Sequence, residues 1–386
     1  MRSTLAGFGG LLFLPPFELK QEVKLVESKG KERKIVYRTL GKTGLKLPVI
    51  NMGVMNSDNP QLIRAALDSG MVMLDTAHGY MGGRNEETIG QVIKDRPRDS
   101  FVIATKVSLP QDRSTGLYTE GATTKEFLRK LDLSLKRLGV DHVEILYHHN
   151  VSRRESVIYE PVLNGLEKAK KDGKIRFAGI STHSNEPEVM QAAVESKCYE
   201  VIQTAYNYHQ RHYKEVRLAI AKAAEAGLGI VTMKAIRGGF RLLPSAKNPA
   251  ASLKWVLQDP NVHTVIPGFT TFEELEVDLA VMEDLRLTEE EKRALQKEAA
   301  LPSHYCQGCR RCSGTCPEHL PIPDLMRAYM YTYDYRNVER AREVVASLDL
   351  PDKVCEDCSV CQVRCASNFN VSKKIREVVR LRDAFV

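Results

Sequence analysis

KEFLRKLDLSLKRLGVDHVEILYHH, residues 125–149, contains one full unit of the architecture. Its first part carries apolar residues at the spacing of a helix face, and a short β-branched run follows. Moving outward in both directions, the same alternation recurs. INMGV (50–54), MVMLDTA (71–77), FVIATKV (101–107), HVEILYHH (142–149), IRFAGIST (175–182), VIQTAYN (201–207), GIVTMKA (229–235) and VHTVIPG (262–268) read as strands. Stretches such as EVRLAIAKAAEAG (215–227) read as the helices between them. Eight strands, each followed by a helix, predict an α/β fold, the (β/α)8 TIM barrel, whose chemistry gathers at the carboxyl ends of its strands. Ahead of it, VYRTLGKTGLKLPVI (36–50) predicts a hairpin turning at Lys42 to Gly44.

At 386 residues the chain exceeds such a barrel, which takes about 250. The expected division is an extension over 1–34, the barrel over 35–300 and a small, mainly helical domain over 301–386. The formal charge of +7 is scattered among acidic residues rather than gathered in a stripe with aromatics between, which argues against nucleic acid. A basic face still suits docking of an acidic redox partner protein. MRSTLAGFGGLLFLPP (1–16) resembles the apolar core of an export signal, but it has only Arg2 and no clear cleavage site. It reads as a degraded export signal or a bland extension; the first would need export in folded form, and a cytoplasmic location is the expectation. FELKQEVKLVESKGKERK (17–34) reads as a charged linker, and no segment is long and apolar enough to predict an integral membrane span.

Eight of the nine cysteines form two runs of identical spacing, C-x2-C-x2-C-x3-C. The first is Cys306, Cys309, Cys312 and Cys316, followed by Pro317; the second is Cys355, Cys358, Cys361 and Cys365, followed by Ala366. Disulfides need no repeated spacing, and structural zinc favours separated C-x2-C pairs. This is the ferredoxin spacing for 4Fe-4S clusters, with the fourth cysteine of each run serving the other cluster. The predicted ligand sets are Cys306, Cys309, Cys312 with Cys365, and Cys355, Cys358, Cys361 with Cys316. PIPDLMRAYMYTYDYRNVERAREVVASLDLP (321–351), between the runs, has helical apolar spacing. Cys198, outside both runs, reads as a small buried residue.

The strand ends present Asp75, Tyr80, Lys106 and His149 as polar candidates. Through YRTLGKTGLKLPVI, LDTAHGY, NEETIGQVI, ATKV, DHVEILYHH, FAGIST and VIPGFTTFEEL, roughly residues 35–300, the chain resembles the aldo-keto reductase superfamily. Its cysteine-bearing tail makes it look like the iron-sulfur branch with a C-terminal ferredoxin-type domain. The resemblance implies interconversion of a carbonyl and an alcohol by a tetrad, matched here by Asp75 and Tyr80 in LDTAHGY, Lys106 in ATK and His149. Carbonyl reduction needs a proton at the oxygen, which Tyr80 would supply, its pKa lowered by Lys106, with Asp75 holding the lysine. His149 would orient the carbonyl. Neighbours on a strand face opposite ways, so His148 and His149 cannot both reach the mouth. Counting eight residues from Asp141, as the family pattern implies, selects His149 and leaves His148 a structural role.

The resemblance also implies a nicotinamide cofactor, NAD or NADP, near Ser181 and Gln203. Thr182 and Met233 depart from the family pattern, where asparagine and a stacking aromatic are usual. Lys234, Gly268, Thr270 and Thr271 are further candidates around the phosphates. Glu274 stands where an arginine would grip a 2′-phosphate, so NAD is at least as suitable as NADP. Thr271 and Glu274 also spell a capping box that would start a helix regardless of ligand. Three readings remain open: a nicotinamide-dependent reductase whose clusters relay electrons or clip the tail, a redox enzyme fed only by a partner through the clusters, and an electron-transfer or binding module on an inactive barrel.

Overall fold

The computed structural model describes residues 21–28, 31–112, 115–236, 248–299, 306, 309, 311–312, 314–333, 335–356, 358 and 361–382. The export-signal reading of residues 1–16 lies outside them. Three strands open the described chain: β1 (Gln21–Ser28), β2 (Lys31–Thr39) and β3 (Lys46–Pro48), paired antiparallel in that order. The β2–β3 hairpin turns through Gly41–Thr43, and Gly44 sits at φ 75°, a conformation that favours glycine.

Eight parallel strands follow: β4 (Met52–Gly53), β5 (Met73–Asp75), β6 (Val102–Val107), β7 (Val143–His148), β8 (Ile175–Thr182), β9 (Val201–Ala205), β10 (Gly229–Met233) and β11 (Thr264–Val265). Each pairs with its chain neighbour, and a parallel bridge between Ile50 and Val265 joins the two ends of the curled sheet. Each of the eight expected strand segments supplies one of these strands, an arrangement consistent with the (β/α)8 fold. The strands are buried along almost their whole length, as expected where helices cover one face and a packed interior fills the other.

The covering helices are α1 (Pro60–Asp68), α2 (Arg84–Ile93), α3 (Thr124–Leu138), α4 (Arg154–Val157), α5 (Glu160–Lys171), α6 (Glu186–Ser196), α7 (Tyr213–Glu225), α8 (Pro249–Leu257) and α9 (Phe272–Glu283), with α10 (Glu289–Ala299) after them. Local chemistry sets their ends. The Thr123 side chain caps α3, whose carboxyl end stops at left-handed Gly139. One apolar core lies between sheet and helices, and Leu40, Leu47, Met73, Ala104, Ile145, Tyr147 and Val231 belong to a separate cluster. Leu40 and Leu47, brought in by the β2–β3 hairpin, pack into that second cluster. The Lys42 N–H bonds to Gly227 O just ahead of β10, so the hairpin covers the amino end of the strands and leaves the opposite end for chemistry.

Two expectations need correction. The segment read as a charged linker is largely strand: β1 pairs along its full length with β2. Its charges find cross-strand partners, with Lys46 bonded to Glu22 and the Lys24 ammonium over the Tyr37 ring, while Val26 packs on the core. Charge excludes burial, not an edge strand. Cys198 is exposed, not buried, because it sits in the turn after left-handed Lys197 and the inward position falls to Tyr199.

Three more helices, α11 (Ile322–Tyr333), α12 (Val338–Ala346) and α13 (Val371–Val379), pack on one another around an apolar core of their own. They rest on the carboxyl end of the barrel. Arg327 donates to Asn150 Oδ1 at 3.2 Å, Asn337 to Asn56 Oδ1 at 2.9 Å, and Arg84 pairs with Glu339. Among the described residues no helix is long and apolar enough to cross a membrane.

Candidate functional site

β5 ends at Asp75, and the following turn carries Tyr80 back over it. That turn is fixed from below: Thr76 Oγ1 bonds to Asn85, whose amide donates to the carbonyls of Val54 and Ser57. Gly83 closes the turn at φ 102°, a backbone conformation that a side chain would strain. On β6, Lys106 is fully enclosed; its ammonium donates to Asp75 Oδ1 and to the Thr76 carbonyl and lies 5.3 Å from the Tyr80 ring centre. Burial pushes Asp75 up and Lys106 down in pKa, while their mutual attraction opposes both shifts.

His149, just past β7, meets Tyr80 edge to face at 6.2 Å between ring centres. Its pKa is held well below the ordinary value, first by burial and then by Lys106, Arg340 and Arg327, so the ring is neutral. His148 points the other way. The Tyr199 hydroxyl donates to Val157 O at 2.7 Å and therefore receives His148 Nδ1–H at 3.0 Å, leaving Nε2 to accept from Tyr118. Burial lowers its pKa to about 3.

Asp75, Tyr80 and His149 line one cavity of about 490 Å³, with Lys106 behind Asp75. The opposite wall comes from the tail: Asp324, Arg327, Tyr331, Tyr335, Arg340 and Val344. Tyr80 is thereby buried, and burial is the largest cause raising its pKa, with Asp75 and Tyr331 adding to it. The groups that lower it are Arg340 and Arg327, not the lysine expected to do so. Sequence reasoning missed both arginines, since nothing in their local spacing connects a helix of the tail with a strand end about 250 residues earlier.

The nucleotide candidates divide. Gly268, Met233 and Lys234 line the cavity, and Lys234 is lowered to about 7, by burial first and then by Arg327. Ser181 is buried and accepts Asn150 N–H at 3.0 Å, while Gln203 donates to Asp75 Oδ2 at 2.7 Å. The Gln203 Oε1 is buried with no hydrogen-bond partner among the described residues, a free acceptor of the kind a carboxamide N–H satisfies. Thr270, Thr271 and Glu274 are drawn into the capping box of α9: the Glu274 carboxylate takes the N–H groups of Thr270 at 2.6 Å and Thr271 at 3.3 Å.

The two cysteine runs interleave. Cys312 is raised to about 12 by burial and by the nearby thiols of Cys306, Cys309 and Cys365. Cys355 is raised to about 11 by burial and by Cys316, Cys361 and Cys358. Cys316, Cys355, Cys358 and Cys361 also line a cavity of about 120 Å³. Among the described residues no three His, Cys, Asp or Glu side chains converge on a single metal ion. A cubane places one thiolate on each of four irons rather than four on one ion, so its donors stand further apart than those of tetrahedral zinc.

Comparison with known proteins bears on the barrel. The Aldo/keto reductase family model matches residues 51–251. L-glyceraldehyde 3-phosphate reductase of Escherichia coli is 34% identical over 172 residues, which cover 41% of this chain and 48% of that protein, so the match spans about half of the relative's length. An uncharacterized oxidoreductase of Bacillus subtilis, YqkF, is 26% identical over 298 residues, covering 67% of this chain and 95% of that one. In structure, aldo-keto reductase AKR11C1 from Bacillus halodurans superposes with a TM-score of 0.56 at 23% identity, over 69% of this chain and 98% of its own, a likeness of fold.

Proposed function

This chain belongs to the aldo/keto reductase family, and we propose that it interconverts a carbonyl and an alcohol at Tyr80 and His149, using NAD or NADP and carrying two 4Fe-4S clusters in its tail. The observation that carries this reading is the convergence of Asp75, Tyr80 and His149 on one cavity, with Lys106 locked behind Asp75.

In the reducing direction neutral His149 orients the carbonyl oxygen through a ring N–H. Tyr80, its pKa raised by burial, stays protonated at neutral pH and passes its hydroxyl proton to that oxygen. The carbonyl carbon takes up a hydride, the product is the alcohol, and Tyr80 is reprotonated from solvent. Lys106 and Asp75 hold the floor of the site. A reduced nicotinamide, when bound, supplies that hydride; Ser181 and Gln203 would hold its ring, with Gly268, Thr270 and Thr271 near its phosphates. The Glu274 charge disfavours a 2′-phosphate and so favours NAD.

Cys306, Cys309, Cys312 and Cys365 would hold one cluster, and Cys355, Cys358, Cys361 and Cys316 the other. Each cluster, when bound, exchanges one electron at a time. Electron exchange with a redox partner protein is the reading we favour over a purely structural clip, because the Cys306 thiol lies near enough to the cavity wall to act electrostatically on Lys234. In anaerobically purified protein Tyr80→Phe should lower aldehyde-dependent oxidation of NADH or NADPH by about 100-fold or more, the usual contribution of a general acid. Undiminished turnover would move the proton transfer to another group.

A further inference from the structure

The charge of the cavity wall is unbalanced. Lys130, Lys234, Arg327 and Arg340 line it, against the carboxylates of Asp75 and Asp324. Asp75 is already paired with Lys106, Arg340 with Glu343 at 2.6 Å, and Lys130 with the Ser108 carbonyl at 2.9 Å. Arg327 reaches only the neutral Asn150 side chain, and Lys234 has no carboxylate partner among the described residues. Asp324, one turn ahead of Arg327 on α11, lines the same cavity. His183 lies on the same wall with a buried Nδ1 that has no hydrogen-bond partner among the described residues.

Two cations gathered on the wall of one cavity repel each other and lose hydration, an arrangement that a bound anion relieves. Arg327 bears electrostatically on both Tyr80 and His149, so an anion it holds lies within the reach of the reacting carbonyl.

We propose that the cavity takes a carbonyl compound bearing a carboxylate, held between Arg327 of the tail and Lys234 of the barrel, with His183 as a further donor, while its carbonyl faces Tyr80 and His149. The proposal rests on the reductase reading above. The planar guanidinium suits a carboxylate, to which it can donate two parallel bonds. A volume of about 490 Å³ accommodates such a molecule beside a nicotinamide ring. Because Arg327 comes from α11, the tail is then part of the substrate site, and a barrel lacking it would have no selectivity for acids.

The test uses the full chain, purified anaerobically with its iron and sulfide. 4-Carboxybenzaldehyde and 4-methylbenzaldehyde are compared by kcat/KM, and terephthalate, which presents the carboxylate without a reducible aldehyde, is titrated by calorimetry. The wild type should favour the carboxylated aldehyde at least about tenfold, the scale of a charge-assisted hydrogen-bonded pair. Arg327→Gln and Lys234→Gln should each erase most of that preference and weaken terephthalate binding about tenfold. Should Arg327→Gln disturb the seating of the tail, Lys234→Gln, on the barrel side, decides. A wild type with no preference overturns the proposal. So does weakened NADH or NADPH binding with unchanged terephthalate affinity, since the cations would then hold the nucleotide phosphates. If no aldehyde is turned over but terephthalate binds and depends on both cations, the anion site stands and the reductase reading falls.

Discussion

His148→Gln should remove a defined part of the acid sensitivity of the barrel without touching its mouth. In the folded chain both ring nitrogens of His148 are engaged, Nδ1–H toward Tyr199 and Nε2 accepting from Tyr118, so protonation would leave Nε2–H facing a hydroxyl that already donates to it. Burial holds its pKa near 3 rather than the ordinary 6.5. A depressed folded-state pKa gives stability that is complete above the unfolded value and is lost as pH falls from 6.5 toward 3. Between pH 7 and pH 5 the unfolded imidazole gains most of a proton and the folded one gains none. That difference lowers the unfolding free energy by about 2 kcal/mol, a figure that needs only a folded pKa well below 5. The chain has one tryptophan, Trp255 on α8, packed against Tyr206, Tyr208 and Tyr213, so its fluorescence reports the barrel rather than the tail. Urea unfolding followed at Trp255 at pH 7, 6 and 5 should show the wild type losing about 2 kcal/mol more than His148→Gln over that range. Other buried histidines, such as His78 and His263, titrate alike in both proteins and cancel. Parallel pH profiles would refute the reasoning and mean that His148 is accessible to protons.

Three further outcomes are expected. His149→Gln should cost turnover far more than His148→Gln in steady-state assays, and the reverse ranking would invert the assignment of the two rings. Iron and acid-labile sulfide should each approach about eight per chain in anaerobic preparations; Cys309→Ser should lose one cluster by paramagnetic resonance and retain the set containing Cys316, whereas loss of both would speak against independent crossed sets. Glu274→Gln should raise the affinity for NADPH relative to NADH modestly, by about 1 kcal/mol at a partly exposed, screened position. If fluorescence titration shows both affinities unchanged, the carboxylate serves the α9 cap alone.

The strands, helices and helix caps were legible in the sequence because each is written in neighbouring residues: β-branched runs, helical spacing, Thr271 with Glu274. So was the opposite facing of His148 and His149, since alternation along a strand is a local property. Cysteine spacing predicted a crossed pairing of the runs; the thiols acting on Cys312 are those of Cys306, Cys309 and Cys365, and those acting on Cys355 are Cys316, Cys358 and Cys361.

Burial at the ends of elements was not legible, because it depends on what arrives from elsewhere. Cys198 is exposed since Tyr199 takes the inward place, and the charged segment before β2 becomes a strand because β2 offers it a free edge. Lys234 was readable as a candidate near the phosphates, but the action of Arg327 of the tail on it was not. Local pattern was enough for the barrel, for the site that Asp75, Tyr80, Lys106 and His149 were expected to form, and for two cysteine runs of one spacing. That α11 and α12 wall the cavity, bringing Arg327, Tyr331 and Arg340 to it, followed from tertiary packing alone. The reason is physical: local periodicity fixes which face of a helix is apolar, but the partner of that face, and the charges it brings to a distant cavity, follow from packing across the whole chain.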